Sequence, residues 1–421
     1  MGERRRFALL AVVVLGLARS TPAESVLVPM DGAQGDHLRA YGLAYQRLQE
    51  GSTVEWLLNY RAGSFLMPAT DSAERQARLL GVTVEILTAQ EVTALREAVA
   101  AGNMDAILLE KAPRIAVYCP PDGEPWDDAV RLALEYARIP YETIWDSDVL
   151  AGALERFDWL HLHHEDFTGQ YGKFYGSFAR APWYIAAQLR SEEEARSLGF
   201  AKVSQEKAMV SLAIRHYVEQ GGFLFAMCSA TDTIDIALSA LNTDVAGAVF
   251  DGDPPAADWS RRLDFSATFA FRDFRIITDP MVYEFSDIDT TPSRAGLSRD
   301  IDRFRLFEFS ARMDPVPCML TQSHEAYVRG FMGQTTGFRT ECLKSDVIVM
   351  GETPNIGEAK YIHGNVGRGT FTFLGGHDPE DYQHLVGDPP TELALTRNSP
   401  GYRLILNNVL FPAARKQERK T

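Results

Sequence analysis

The chain reads as an α/β protein with open, mostly parallel sheets and one β-rich insertion, and three observations predict it. Apolar strand-like runs alternate with helix-period stretches from residue 26 onward. That alternation restarts near residue 113, and between residues 251 and 344 it gives way to alternating aromatic and polar residues. Alternating β and α segments imply parallel strands with helices on both faces. With 421 residues, 46% apolar and 24% charged, the composition is globular and excludes disordered, collagenous and coiled-coil chains. At about 150 residues per domain the length allows two or three domains.

Residues 26–30 form the first apolar strand. Asp36 then opens a helix whose Leu38, Tyr41, Ala44, Tyr45 and Leu48 recur at intervals of three and four, the spacing of one helix face. Strands at 54–58 and 65–68, a helix at 73–80, a strand at 82–87, a helix at 90–100 and a strand at 106–109 complete an N-terminal α/β domain over 24–112. The second block, 113–250 with 345–414, begins with a strand at 114–118. A helix at 125–137 follows, with Pro125 in its first turn, where the missing N–H costs nothing. Strands at 141–145 and 158–163 flank a short helix at 150–154; a long helix at 204–219 precedes a strand at 222–227 that runs into Cys228. In the insertion, 251–344, segments 264–271, 274–278 and 304–310 have the alternation of antiparallel strands. Strands at 347–351, 359–363 and 369–374 rejoin the sheet, a helix at 403–410 closes it, and the basic tail 415–421 frays.

Residues 1–23 have the features of a signal peptide: Arg4, Arg5 and Arg6, an apolar run over 7–18, and small residues near Ser20 and Ala23 suited to cleavage. A periplasmic or extracellular location is expected. Past Ala18 no apolar run approaches the roughly 20 residues of a spanning helix, so no stable membrane anchor is expected after cleavage. Cleavage takes four Arg and one Glu from 42 basic and 57 acidic residues, leaving a net charge of −18. Each neutralised phosphate needs a positioned Lys or Arg, so this balance disfavours nucleic acid and points to a small-molecule partner. Cys119, Cys228, Cys318 and Cys342 are too sparse for a disulfide scaffold. In an oxidising compartment Cys318 could pair with Cys342, and Cys119 with Cys228.

The sharpest chemical signal is Ala226-Met227-Cys228-Ser229-Ala230, between an apolar strand and a helical pattern. A nucleophile on a tight strand-to-helix turn needs small residues two before and two after it, and Ala226 and Ala230 supply them. The helix N-terminus would lower the thiol pKa, and the amide of Ser229 could donate to an oxyanion. The same residues also suit a buried cysteine that merely ends a strand. A second signal, Gly375-Gly376-His377-Asp378-Pro379-Glu380 after the strand at 369–374, offers His377 as the base for Cys228 and Glu380 or Asp378 as the group orienting it.

A third constellation is His161, His163, His164, Glu165, Asp166, Gln170 and Tyr171. His161 and His163 share one face of a strand, and the others lie beyond its carboxyl end, where open α/β sheets bind ligands. These residues suit substrate binding, with Trp183 and Tyr184 as a further pocket wall. His161, His163 and His164 also suit a divalent metal, although no cofactor is required by any motif. Acidic groups at Asp251 and Asp253, at Asp287 and Asp289, and at Asp378 to Asp381 with His384 read as solvated turns.

The order Cys228, His377, then a carboxylate resembles class I glutamine amidotransferase-like domains, whose His-Pro-Glu here reads His377-Asp378-Pro379-Glu380. The stretches 159–175, 225–238, 250–254, 375–390 and 398–412 resemble an exported bacterial family often labelled asparagine synthetase B. The resemblance implies a flavodoxin-like/class I glutamine amidotransferase-like fold. The label does not carry its mechanism, since no Cys precedes Cys119 and no Ser-Gly-Gly nucleotide loop occurs. The function expected first is an exported Cys-dependent amide or acyl hydrolase; the alternatives are an exported binding protein for a carbohydrate-like ligand and a metal-dependent hydrolase.

Overall fold

The computed structural model describes residues 25–415 apart from 122, 124–126, 295 and 355. The signal segment expected over 1–23, the start of the helix expected at 125, and all of the tail past 415 lie outside the described residues. The architecture is mixed α/β, with helices packed on two sheets.

The first sheet is built from β1 (Ser25–Val28), β2 (Val54–Leu58), β3 (Ser64–Pro68), β4 (Glu85–Leu87) and β5 (Asp105–Leu109), in the order β4-β1-β3-β2-β5. Helices α1 (His37–Gln49), α2 (Asp71–Leu80) and α3 (Ala89–Ala101) connect them. Every pairing in this sheet is antiparallel, which corrects the expectation of a parallel one. The reason is local. Residues 59–63 join β2 to β3, with Asn59, Arg61, Ala62 and Gly63 all at positive φ, and so short a turn can link only antiparallel neighbours. Asp36 caps α1 as predicted, accepting the amide of Arg39 at 2.9 Å.

The second sheet has ten strands. Its parallel half contains β6 (Ile115–Tyr118), β7 (Glu142–Ile144), β8 (Trp159–Leu162), β9 (Phe223–Met227) and β15 (Gly369–Leu374). Helices α4 (Ala129–Ala137), α5 (Asp146–Leu150), α6 (Tyr175–Phe178), α7 (Pro182–Ser197) and α8 (Val203–Glu219) lie between these strands in sequence. After β9 come α9 (Ala230–Ser239) and α10 (Ala248–Asp251). The antiparallel half is β10 (Arg303–Leu306), β11 (Tyr327–Arg329), β12 (Phe338–Arg339), β13 (Ile348–Thr353) and β14 (Glu358–Val366), with α11 (Pro315–Leu320) between β10 and β11 and α12 (Pro400–Leu410) closing the chain. The order is β11-β10-β13-β14-β15-β9-β8-β6-β7, with β12 on β14.

The segment 251–344 differs from the β-rich insertion expected. Residues 264–271 and 274–278 form no strand; Phe265–Ala267 is a 3-10 turn capped by Asp264. Asp235 of α9 takes the place of a ladder partner by accepting the amides of Phe269, Ala270 and Phe271 at 2.5–2.9 Å. The aromatic side chains expected on a strand face instead bury against the sheet, with Phe269 5.6 Å from Phe371 and Phe271 6.1 Å from Phe373, ring to ring. The short strands β10, β11 and β12 extend the central sheet.

Two large cores cover the two faces of the parallel strands, as buried parallel sheets require. One joins Trp56, Phe65 and Tyr41 of the first block to Tyr402, Leu404 and Leu374. The other sets Leu160, Leu224 and Ala226 against Ile214 of α8 and Ile234 of α9. Arg403 of α12 is fully buried and ties the two blocks, donating to the carbonyl of Met30 at 2.8 Å and the hydroxyl of Tyr41 at 3.0 Å.

Candidate functional site

The parallel strands deliver their chemistry at one edge. Asp127 and Asp128 follow β6, His163 and His164 follow β8, Cys228 follows β9, and His377 follows β15. The chain reverses its winding between β6 and β8, since β7 lies on one side of β6 and β8 on the other. Such a switch point opens a crevice at the carboxyl ends of the strands.

Five of the nine histidines meet there. His161 Nδ1 lies 3.1 Å from the carbonyl of Phe225, which can only accept, so that nitrogen carries a proton. His161 Nε2 is 3.3 Å from His163 Nδ1, and His163 Nε2 is 3.3 Å from His377 Nδ1. His377 stacks on His384 with ring centres 3.8 Å apart and lies near-parallel to His164 at 5.4 Å. His384 in turn bridges Asp127 and Asp381, at 3.1 Å to each. Asp128 caps α4, accepting the amides of Val130 at 2.8 Å and Arg131 at 3.1 Å, with the same oxygen 3.4 Å from His161 Nε2. His161, His163 and His377 are buried; the His164 side chain, 35% exposed, and that of Asp127, 44% exposed, form the open side.

Burial, reinforced by the neighbouring imidazoles, holds His163 and His377 well below the ordinary histidine range, so both are neutral and present lone pairs. At His384 burial acts the same way, but the bonds to Asp127 and Asp381 outweigh it and raise its pKa. Burial at Asp127 is likewise outweighed, chiefly by the bond from His384, which holds its carboxyl below the ordinary carboxylate range. The ligand atoms of His163, His164 and His377 lie within 4.8 Å of one another, as do those of Asp127, His377 and His384, and those of Asp128, His161 and His163. Two nitrogens bound tetrahedrally at about 2.05 Å would stand about 3.3 Å apart, the spacing found between His163 Nε2 and His377 Nδ1.

The residues expected from the sequence divide. His161, His163, His164 and His377 come together; Cys228 stands beside them in the backbone, its amide donating to the carbonyl of Gly376 at 3.1 Å. Its φ of 48° is the strained turn that the flanking alanines suggested. The expected Cys228–His377 pair is not formed. Cys228 Sγ accepts the amide of Gln334 at 3.3 Å, and among the described residues no hydrogen bond links it to His377. Burial pushes its thiol up to about 11, although the amides of Gln334, Ser229 and Thr335 act the other way. The amide of Ser229 thus serves the sulfur itself, while its hydroxyl donates to the carbonyl of His164 at 3.0 Å.

Neither expected acid orients His377. Asp378 accepts the Glu380 amide at 2.8 Å and the Thr391 hydroxyl at 2.7 Å, and Glu380 bonds to Ser399. Gly376, at φ 92° and with Phe331 2.5 Å from where a Cβ would sit, turns the chain so that His377 meets His163. Four residues expected to bind substrate instead build the loop after β8. Glu165 accepts the His163 amide at 2.9 Å; Asp166 accepts amides from Thr168, Gln170 and Gly172. Gln170 is buried on the Thr168 hydroxyl, and Tyr171 packs edge-on to Tyr184 and near Phe250. Tyr184 is core, and Trp183 is 43% exposed. All four cysteines are free and buried, so neither anticipated disulfide is present.

Asp127 and Asp128 escaped notice because, in sequence, they only begin a helix, and His384 because it stood in an acidic turn. A pair of acids at the start of the first helix after a strand of the parallel half was the available signal.

No protein-family model matches the chain, and no curated protein is significantly similar to it. Among solved structures, it is similar to a cytoplasmic protein of Salmonella typhimurium, STM3548, at 10% identity and TM-score 0.37, covering 72% of this chain and 100% of that one. A second, cytoplasmic protein STM1381 from Salmonella typhimurium LT2, aligns at 11% identity and TM-score 0.35 over 72% of this chain and all of its own. A GH42 β-galactosidase, Gan42B, aligns at 9% identity and TM-score 0.25 over 64% of this chain and 28% of that one.

Proposed function

We propose that the protein is a metal-dependent hydrolase of small molecules working at the carboxyl edge of β6, β8 and β15. The carrying observation is the convergence of His163, His164 and His377 within 4.8 Å, two of them held neutral, beside the Asp127–His384 pair. A donor set of three imidazoles suits zinc better than calcium or magnesium. Such an ion would polarise an acyl or phosphoryl oxygen and lower the pKa of bound water. His161, anchored on the Phe225 carbonyl, orients His163 from behind, as metal-binding imidazoles require. His384, whose proton Asp127 and Asp381 help retain, would release it to the leaving group as the bond to that group breaks, while the Asp127 carboxylate would accept the proton lost by the attacking water as its oxygen bonds to the electrophilic centre.

The test is metal uptake. Chelator-stripped protein given zinc and gel-filtered should retain stoichiometric metal, and His377→Ala and His164→Ala should lose it together with any esterase activity on p-nitrophenyl acetate. Folded wild-type protein that retains no metal would sink this reading.

A second reading keeps Cys228 as nucleophile of an amide or acyl hydrolase, favoured by its φ of 48° on a strand-turn-helix. The parallel order β7-β6-β8-β9-β15 runs 2-1-3-4-5, the flavodoxin-like order, and supports the resemblance to class I glutamine amidotransferase-like proteins and to the exported family labelled asparagine synthetase B. Export of the chain, and a carbohydrate-like ligand bound without turnover, belong to the same set of proposals.

A further inference from the structure

A second group of charged side chains, sharing no residue with the histidine site, lies where α5, α7 and α8 meet. Asp146 is the first residue of α5, Glu194 belongs to α7, and Glu206 and Lys207 stand near the start of α8. Asp146 accepts from the Tyr118 hydroxyl and, at 2.6 Å, from Lys207. Lys207 also donates to Tyr118 at 2.9 Å and lies 4.0 Å from the centre of the Trp145 ring. The Trp145 indole N–H donates to Glu194 at 2.6 Å.

Glu206 is the anomaly. It is fully buried, and no N–H or hydroxyl donor meets either of its carboxylate oxygens; the polar group it faces is another carboxyl, that of Asp146. Buried polar atoms are nearly always partnered, because an unpaired carboxylate forfeits its hydration for nothing. One oxygen each of Asp146, Glu194 and Glu206 lie within 4.8 Å of one another. With Lys207, the three carboxylates leave a formal charge of −2, that of one divalent cation.

We propose that Asp146, Glu194 and Glu206 bind a calcium-class cation that ties α7 and α8 to the start of α5. Three carboxylates with no nitrogen or sulfur donor select a hard ion. Magnesium keeps several of its waters and takes only one or two carboxylates, whereas calcium is held by many protein oxygens in flexible geometry, so three converging carboxylates favour the larger ion. The Asp146 oxygens keep lone pairs beyond the bonds from Tyr118 and Lys207. Glu194, only partly buried, marks the way in. The competing occupant is a proton, since burial, with Asp146 adding to it, pushes the Glu206 carboxyl up to about 8.

Trp145 makes the site readable, because terbium, a luminescent substitute for calcium, would sit close enough to be sensitised by its indole. Chelator-treated full chain titrated with terbium under tryptophan excitation should give saturable emission, one ion per chain, that calcium competes away. Glu206→Gln should abolish it while unfolding at the wild-type metal-free temperature, because the amide mimics the protonated acid. Glu194→Gln, at the more open position, should also lose it and serves if Glu206→Gln does not fold. Calcium at a hundredfold excess over its Kd should raise the wild-type unfolding temperature by roughly 3 °C. Absence of both effects, or undiminished emission from either variant, overturns the proposal and assigns the charge to a proton shared by Glu206 and Asp146.

Discussion

Iodoacetamide should alkylate Cys228 of the folded protein far more slowly than an ordinary thiol, and the structure sets the factor. The thiol is 1% exposed and is pushed up to about 11 by burial, which the amides of Gln334, Ser229 and Thr335 do not offset. At pH 8 about 0.001 of such a thiol is ionised, against about 0.24 of a free cysteine of pKa 8.5. Thiolate supply alone therefore slows the reaction about 200-fold, and the need to open the fold slows it further. The rate should climb about tenfold per pH unit towards pH 11. The other cysteines behave alike, with Cys119 and Cys342 raised to about 11 and Cys318 to about 12 by burial. The assay is timed alkylation of folded protein between pH 7 and 10, then unfolding and peptide mass mapping, with Cys228→Ser to assign the signal. An ordinary rate at pH 8 that levels off by pH 9 would refute the reasoning. It would mean that the three amides outweigh burial and stabilise a thiolate, and it would return Cys228 to the nucleophile's role.

Acid should destabilise the fold below neutrality. Burial holds His363 down to about 4, so it stays neutral in the fold while an unfolded histidine protonates below about 6.5; stability is intact above that pH and lost as pH falls towards 4. By pH 5 the loss is about 2 kcal/mol for this residue. His163 and His377 act in the same direction and His384 in the opposite one. Urea midpoints at pH 7.5 and pH 5 should show the drop, and His363→Asn should shrink it; an equal drop in the variant would refute the assignment. Gly42→Ala should cost about 1–3 kcal/mol, because its Cβ would stand 1.9 Å from the carbonyl oxygen of Ala137, where α1 crosses α4. Gly32→Ala, with nothing within 4 Å, is the matched control; equal unfolding temperatures for both variants would contradict the close contact.

The amino-acid sequence alone determined most of the local structure. Periodicity placed α1, α8, α12 and every strand of the parallel half, since a period of two or 3.6 is written in neighbouring residues. It also put His161 and His163 on one strand face and set His377 and Cys228 at strand ends. Only the tertiary structure decided what those ends meet. The antiparallel course of the first sheet depended on a five-residue turn, and the irregular run after α10 on the Asp235 carboxylate capturing three amides. Asp127 and His384 stand 257 positions apart, yet they are 3.1 Å apart across His377's edge of the sheet. Cys228 and His377 follow the ends of adjacent parallel strands, but one side chain bonds to Gln334 and the other to His163. Spacing along a chain records which residues share an element, whereas side-chain direction at a strand's end is set by burial against segments hundreds of residues away.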